Sequence, residues 1–432
     1  MRVSSAARRR GGSALLAGVL ATALSLQAGA QVLPAPTAQP PVRLAPEPGD
    51  ELTISVLTMG VGAEVWERFG HNAIVVEDRN RGTSIAYNYG MFSFRQENFL
   101  LKFVQGRMLY WMAGYPTADD VPRYIDRQRS VWQQELNLTP AQRVALRDFL
   151  EWNAQEEHKY YRYDYYLDNC STRVRDALDR VLGGAIERQS RMPGHSFRFH
   201  TQRLNTHNPL LYTGLMLALG ASADQPRTRW EEMFLPLKLH EYLREIRLPD
   251  SAGGFVPLVK SERVLYESTT YQVREAPPAW WPGFLAIGVA LGGLLAWAGA
   301  RYGRTGAGRT VFVFPATTVA LLLGLGGMIL AGLWAFTDHV MAGRNQNVLQ
   351  LHDLTLVLGL LLPWARASRP GVVRAVRVLA WLVAGLSLAG VLLKLLPVGP
   401  QVNGQVLALL VPINLGLVAG VLAATRPAPR PA

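Results

Sequence analysis

Two kinds of hydrophobic pattern divide the chain. From Glu51 to Met59, from Asn72 to Glu77 and from Ser84 to Tyr89, apolar side chains follow the short period of half-buried strands. The polar stretch Asp78 to Thr83 joins the last two as a hairpin. Thr139-Pro140, followed by Ala141, Val144, Leu146, Phe149 and Leu150, predicts an amphipathic helix with Thr139 as its cap and proline at its first position. A second helix is expected from Ser171 to Leu182, where Val174, Ala177, Leu178, Val181 and Leu182 recur at helical spacing and Gly183-Gly184 stops it. Residues 195 to 275 look mainly helical and irregular, and no internal repeat is found. From Trp280 onward the pattern changes to long apolar runs, near 281–300, 311–336, 349–365, 376–396 and 405–425. Each is long enough, or nearly so, for a bilayer core of about 30 Å.

These patterns predict an α+β domain over 51–275, a five-helix transmembrane domain over 279–425 and a cytoplasmic tail over 426–432. The start, 1–30, has the form of an export signal: Arg2, Arg8, Arg9 and Arg10, an apolar stretch from Ala14 to Leu26, then Ala28-Gly29-Ala30. Mature protein would begin near Gln31. Residues 31–50 hold Pro34, Pro36, Pro40, Pro41, Pro46 and Pro48, a composition that resists packing and is expected to act as a tether.

The formal net charge of +12 on 432 residues invites a nucleic-acid reading, but the positions of the charges argue against it. Beyond the four N-terminal arginines, Arg301, Arg304, Arg309, Arg366, Arg369, Arg374, Arg377, Arg426 and Arg430 lie between or after the C-terminal apolar runs. Without those thirteen the chain is close to neutral. The loops after the first, third and fifth runs carry the arginines, and the loop after the fourth carries no charge, as expected if the domain preceding the membrane helices is exported. Nucleic acid is therefore not expected as a partner; a membrane is. The other exported loop, 337–348, contains Asp338, His339, Arg344, Asn345 and Asn347, and His352-Asp353 continue it. Such residues can be merely solvated, yet ionisable groups at the mouth of a bundle point to function. Lys394 is expected to snorkel to the interface, and Trp280-Trp281 to anchor the first helix there.

The chain has a single cysteine, so an exported domain cannot use it for an internal disulfide. Cys170 is either an inert thiol or one kept for its reactivity. It stands in Tyr163-Asp164-Tyr165-Tyr166-Leu167-Asp168-Asn169-Cys170-Ser171-Thr172-Arg173, a polar and aromatic run directly before a helix. Free N–H groups at a helix start favour thiolate over thiol, and Arg173 and Arg175 would add to the positive field. A nucleophile of this kind needs an imidazole. His71, in Gly70-His71-Asn72 at the opening of a strand, is the best placed of the eight histidines. Asn88, Asn72 or Asp168 could hold its tautomer, and sequence alone leaves that choice open. His195, His200 and His207 lack a nearby acid and the spacing of a zinc helix, so no metal is expected.

With Gly70-His71-Asn72, Tyr87-Asn88-Tyr89-Gly90 and Asp168-Asn169-Cys170-Ser171-Thr172-Arg173 in view, the chain resembles the Lnb family of bacterial envelope proteins. The resemblance extends to the membrane half, where Phe336-Thr337-Asp338-His339 and later Asn345 and Asn347 follow the second run. More distantly, the order His then Cys is similar to circularly permuted papain-like enzymes, the group of lecithin:retinol acyltransferase and NlpC-type cell-wall peptidases. The resemblance implies a permuted papain-like (NlpC-like) periplasmic domain on the inner membrane and no cofactor. It implies transfer of an acyl chain from a phospholipid donor to the N-terminal amine of a diacylglyceryl lipoprotein acceptor. Cys170 would be the nucleophile and His71 the base, with Asn88 as orienting group. Asn72, Asp168, Asn169, Arg173, Asp338, His339 and Asn345 would support the site or bind substrate. Two other readings remain: a cysteine peptidase or amidase acting on cell-wall peptide, and a non-enzymatic envelope receptor or scaffold.

Overall fold

A computed structural model describes residues 47–250, 253–303, 306, 308–396 and 401–426. The expected export signal, nearly all of the tether and, apart from Arg426, the tail lie outside the described residues. Seven strands, β1 (Leu52–Met59), β2 (His71–Asp78), β3 (Thr83–Met91), β4 (Leu109–Pro116), β5 (Val131–Leu136), β6 (Tyr160–Arg162) and β7 (Val259–Tyr266), form one sheet in the order β7-β5-β1-β2-β3-β4-β6. Every neighbouring pair is antiparallel. The expected hairpin is β2–β3, with Ala73 opposite Asn88.

The period of two along these strands sends residues to two different cores. Leu52, Ile54, Val56, Ile74 and Tyr87 face one side. Leu57, Met59, Ala73, Val75 and Ala86 face the other. Four helices accompany the sheet: α1 (Phe99–Gln105), α2 (Thr117–Asp126), α3 (Pro140–Asn153) and α4 (Cys170–Val181). Leu146 and Leu150 of α3 and Val174, Ala177 and Leu178 of α4 complete the first core. Val121, Tyr124 and Ile125 of α2 pack on the second. Thr139 caps α3 by accepting from the Gln142 N–H at 3.3 Å, and the Gln142 side chain accepts from the Thr139 N–H in return.

The stretch 195–275 is not wholly helical and irregular. Its last part is β7, an edge strand on β5. The sequence Val-Lys-Ser-Glu-Arg-Val-Leu-Tyr is mostly exposed, so its strand character comes from pairing and not from an apolar face.

The C-terminal region is helical. After a short apolar helix, α5 (Pro209–Ala218), come α6 (Trp281–Tyr302), α7 (Arg309–Phe336), α8 (Asp353–Leu361), α9 (Pro370–Leu392) and α10 (Gly404–Ala424). Among the described residues four helices are long and apolar enough to cross a membrane: α6, α7, α9 extended to Leu395, and α10. The third of the five expected runs forms only a short apolar helix, Asp353–Trp364, about 18 Å long at 1.5 Å per residue. The cause is polar. Gln350 donates to the Ser387 carbonyl at 3.0 Å, and its side-chain oxygen accepts from the Ser387 hydroxyl at 2.6 Å. Its backbone carbonyl accepts from Asn414 at 3.0 Å. Away from water these groups must find partners inside the bundle, and they do so at the cost of helical backbone there.

The first and last membrane helices pack through glycine. A Cβ on Gly416 would lie 2.1 Å from the Gly292 carbonyl oxygen, and one on Gly299 would lie 2.3 Å from the Cα of Gly420. Lys394 does not snorkel freely: its ammonium donates to Gln346 and to the Gln401 carbonyl, both at 2.7 Å.

Candidate active site

The string from Asp168 to Arg173 is a device for fixing one residue at a helix start. Asn169 caps α4: its side-chain oxygen accepts from the N–H groups of Ser171 (2.9 Å) and Thr172 (3.0 Å). Its side-chain nitrogen donates to the carbonyls of Tyr165 and Phe234 at 2.9 and 3.0 Å. Ser171 donates to the Met233 carbonyl at 2.6 Å. Asp168 and Arg173 form a two-pronged ion pair with one contact of 2.6 Å, and the guanidinium lies 4.3 Å from the Tyr161 ring centre. Cys170 is thereby held as the first residue of α4.

Cys170 is 9% exposed, at the margin of the core beneath the sheet. Gly90, at φ +84°, occupies a break in the β3–β4 register; a Cβ there would lie 3.3 Å from the Cβ of Cys170. The missing side chain is what lets strand and helix meet. The backbone N–H groups of Asn72, Ser171 and Cys170 favour the ionised form of this thiol. The first belongs to the peptide joining His71 to Asn72, so the thiol lies against the backbone of the residue that carries the imidazole.

His71 opens β2 on the same face as Ala73 and Val75, over α2. Its Nε2 is 2.9 Å from the side-chain oxygen of Asn88. The Asn88 amide is oriented by donating to Asp120 at 2.9 Å and to the Ala86 carbonyl at 3.2 Å. With that orientation Nε2 must be the donor, which leaves the Nδ1 lone pair as the basic position. The ring stacks on Tyr124 at 6.0 Å between centres.

Two expectations about the thiol change. Burial pushes Cys170 up to about 11, against the three N–H groups and Arg129, which pull it down. The helix start alone does not make a thiolate. Burial also lowers His71 to about 4, opposed by the Asn88 bond and reinforced by Arg129. The resting pair is neutral thiol and neutral imidazole. The nearby cation is Arg129, buried, donating to the Gly60 carbonyl at 2.9 Å and 3.4 Å from the Glu67 carboxylate. Arg173 and Arg175 are engaged elsewhere, Arg173 with Asp168 and Arg175 with Asp176 and the Trp230 carbonyl.

Of the three candidates left open as partner to the imidazole, Asn88 is the one in contact. Asn72 turns away, donating to Thr58 at 2.8 Å and to the Leu57 carbonyl, and Asp168 is held by Arg173. Asp120, Tyr124 and Arg129 were not singled out from sequence, and Gly90 appeared there only within the string Tyr87-Asn88-Tyr89-Gly90. Asp120 had a signal, an acidic pair at a helix start, but nothing local ties it to Asn88.

Asp338, His339 and Asn345 are not beside the thiol. Asp338 accepts from Arg107 at 3.0 Å and Arg162 at 2.7 Å, and His339 Nε2 lies 3.1 Å from the Phe103 carbonyl. Asn345 donates to the carbonyls of Leu217 and Ala218, free backbone acceptors at the C-terminal end of α5. Asp338 and His339 fasten the end of α7 to the sheet region, and Asn345 fastens the following loop to α5. His200 does have an acid: Glu232, 32 positions away, lies 2.6 Å from its Nε2, and Tyr242 donates to the same carboxylate at 2.6 Å. Although burial pushes Glu232 up, bonds from His200, Tyr242 and the His195 N–H bring it down to about 2. This is a satisfied internal network. Among the described residues no group of three or more His, Cys, Asp or Glu side chains is placed to hold a metal ion.

Fold and site together describe a class: a mixed α/β domain carrying one cysteine at a helix start beside a His–Asn strand pair, joined to a helical region with four apolar helices of spanning length. The family follows from comparison. Residues 45–204 match the Lnb N-terminal periplasmic domain, and this part of the chain belongs to that family. No curated protein and no solved structure matches the chain.

Proposed function

We propose that the protein is a membrane-bound thiol acyltransferase, moving an acyl chain from a phospholipid to the N-terminal amine of a diacylglyceryl lipoprotein through a thioester on Cys170. Its exported domain would face the periplasm, above the inner membrane. The observation that carries the reading is that Cys170, at the start of α4, meets β3 at Gly90, on the strand pair where Asn88 holds the His71 imidazole as its Nε2–H tautomer.

Because both groups rest neutral, His71 acts as a general base. Nδ1 takes the thiol proton while the sulfur attacks the ester carbonyl, and the N–H groups already at the sulfur stabilise the charge it gains. The carbon–oxygen bond breaks, His71 returns the proton to the departing glycerol oxygen, and lysophospholipid leaves. The lipoprotein amine then attacks the thioester, the carbon–sulfur bond breaks, and the amine proton passes through His71 to the sulfur. An amide forms and the thiol is restored. The spanning helices keep donor and acceptor, both lipid-anchored, at high local concentration.

The test is intact-protein mass spectrometry of the full chain in detergent with phospholipid. An acyl adduct is expected on Cys170, absent in Cys170→Ser, and discharged by a peptide bearing a diacylglyceryl-cysteine amine. Discharge to water alone would identify a hydrolase; no adduct would remove the enzymatic reading.

A further inference from the structure

Helix α1 is unusual for a surface helix. Five of its seven residues are apolar, and Leu100, Leu101 and Val104 are 73%, 56% and 50% exposed. Phe94 and Phe103 are exposed beside them. An apolar surface of this kind needs an occupant, and its attachment says which. The Asp338 N–H donates to the Gln105 carbonyl at 2.8 Å, and Asp338 is two residues past the end of α7. Gly106, at φ +71°, lets the two backbones meet: a Cβ there would be 3.1 Å from the Asp338 carbonyl carbon. Helix α7 has 28 residues, about 42 Å, so its end lies in the polar boundary of a bilayer whose apolar core is about 30 Å. Trp334 and Phe336 at that end are exposed, as in an interfacial aromatic belt. Helix α1 is therefore fixed at the depth where apolar side chains meet lipid. Its charges agree: from Phe94 to Arg107 there are Arg95, Lys102 and Arg107 against a single acid, Glu97.

A continuous aromatic run joins this surface to the thiol. Phe103 lies 6.4 Å from Tyr165, Tyr165 lies 5.7 Å from Tyr163, and Tyr163 lies 6.5 Å from Tyr161 between ring centres. The Tyr161 hydroxyl is 3.9 Å from where a Gly90 Cβ would stand, the point 3.3 Å from Cys170. We propose that the exposed face of α1 is seated in the bilayer leaflet nearest the sheet, and that the aromatic run behind it is the entrance by which a lipid acyl chain reaches Cys170. The second half rests on the acyl-transfer reading; the first does not.

The experiment uses the full chain with Cys170→Ser, so that one new cysteine carries a fluorophore, reconstituted in phosphatidylcholine–phosphatidylglycerol vesicles. Labels at Leu101→Cys and Val104→Cys are compared with one at Asn80→Cys, in the hairpin turn at the far end of β2. The α1 labels should be quenched by spin-labelled acyl chains and shielded from aqueous iodide, and the Asn80 label the reverse. Iodide quenching at α1 equal to that at Asn80, or shielding from both quenchers as under a protein partner, overturns the proposal. For the entrance, Leu101→Glu in the wild-type background should lower the rate of Cys170 adduct formation from vesicle phospholipid, relative to that from a short water-soluble ester, by about tenfold or more. A parallel fall in both rates, or no fall, overturns it. Because the labelled protein cannot be acylated, lipid quenching without any wild-type adduct would refute the transfer reading alone.

Discussion

The neutrality of Cys170 can be tested by varying pH alone. Burial holds its thiol at about 11 in spite of the backbone N–H groups and Arg129 around the sulfur. Only the thiolate is alkylated, so the rate follows the ionised fraction. At pH 8 that fraction is about one in a thousand, against about one in four for an unperturbed thiol near 8.5. Iodoacetamide should therefore modify the protein about 200-fold more slowly than free cysteine, before restricted access is counted. The rate should climb tenfold per pH unit from 7 to 10 without a plateau. Cys170 is the only cysteine, so the mass gain of the whole chain reports it directly. His71→Ala should leave the slope unchanged, because an imidazole lowered to about 4 is already neutral throughout this range. A plateau below pH 8, or alkylation faster than free cysteine, would mean that a thiolate–imidazolium pair forms at rest and that burial does not dominate.

Asn88→Ala removes the acceptor at 2.9 Å that fixes the imidazole; adduct formation should fall about tenfold to a hundredfold with little change in apparent lipid affinity, checked by initial rates against lipid concentration. Asn169→Ala deletes a cap with four hydrogen bonds and should cost about 1–2 kcal/mol, read from the denaturation midpoint of the sheet region within the full chain. Acid should destabilise the fold through His71 and His240, both lowered to about 4 by burial. Between pH 6.5 and 4 the unfolded chain binds protons that the folded chain refuses, so this stability is complete above about 6.5 and is lost as pH falls toward 4. A thermal midpoint unchanged between pH 7 and 4.5 would contradict it.

Elements whose cause is local were legible from sequence. The cap at Thr139, the double glycine after α4 and the alternation in β1 to β3 each act within a few residues. Strand β7 was not, since its partner β5 is more than a hundred positions away and its exposed side chains carry no apolar signal. The His71–Asn88 contact could be narrowed to a few candidates because both stand on one predicted hairpin. Asp120 and Arg129 could not be found, because their relation to the site exists only once α2 crosses the sheet. The helix-start argument for a thiolate failed for a related reason: it counts the dipole, which sequence shows, and omits desolvation, which only packing shows. The third apolar run misled because composition does not say that Gln350 will take Ser387 and Asn414 as partners.

The glycine contact between α6 and α10 bears on how the protein is made. Helix α6 leaves the ribosome more than a hundred residues before α10 exists, so its flat glycine face must wait in lipid without its mate. The α6–α10 seam can therefore close only after α10 has been made. A chain cut short before Gly404 would leave α6 packed on α7 but with its glycine face open to lipid.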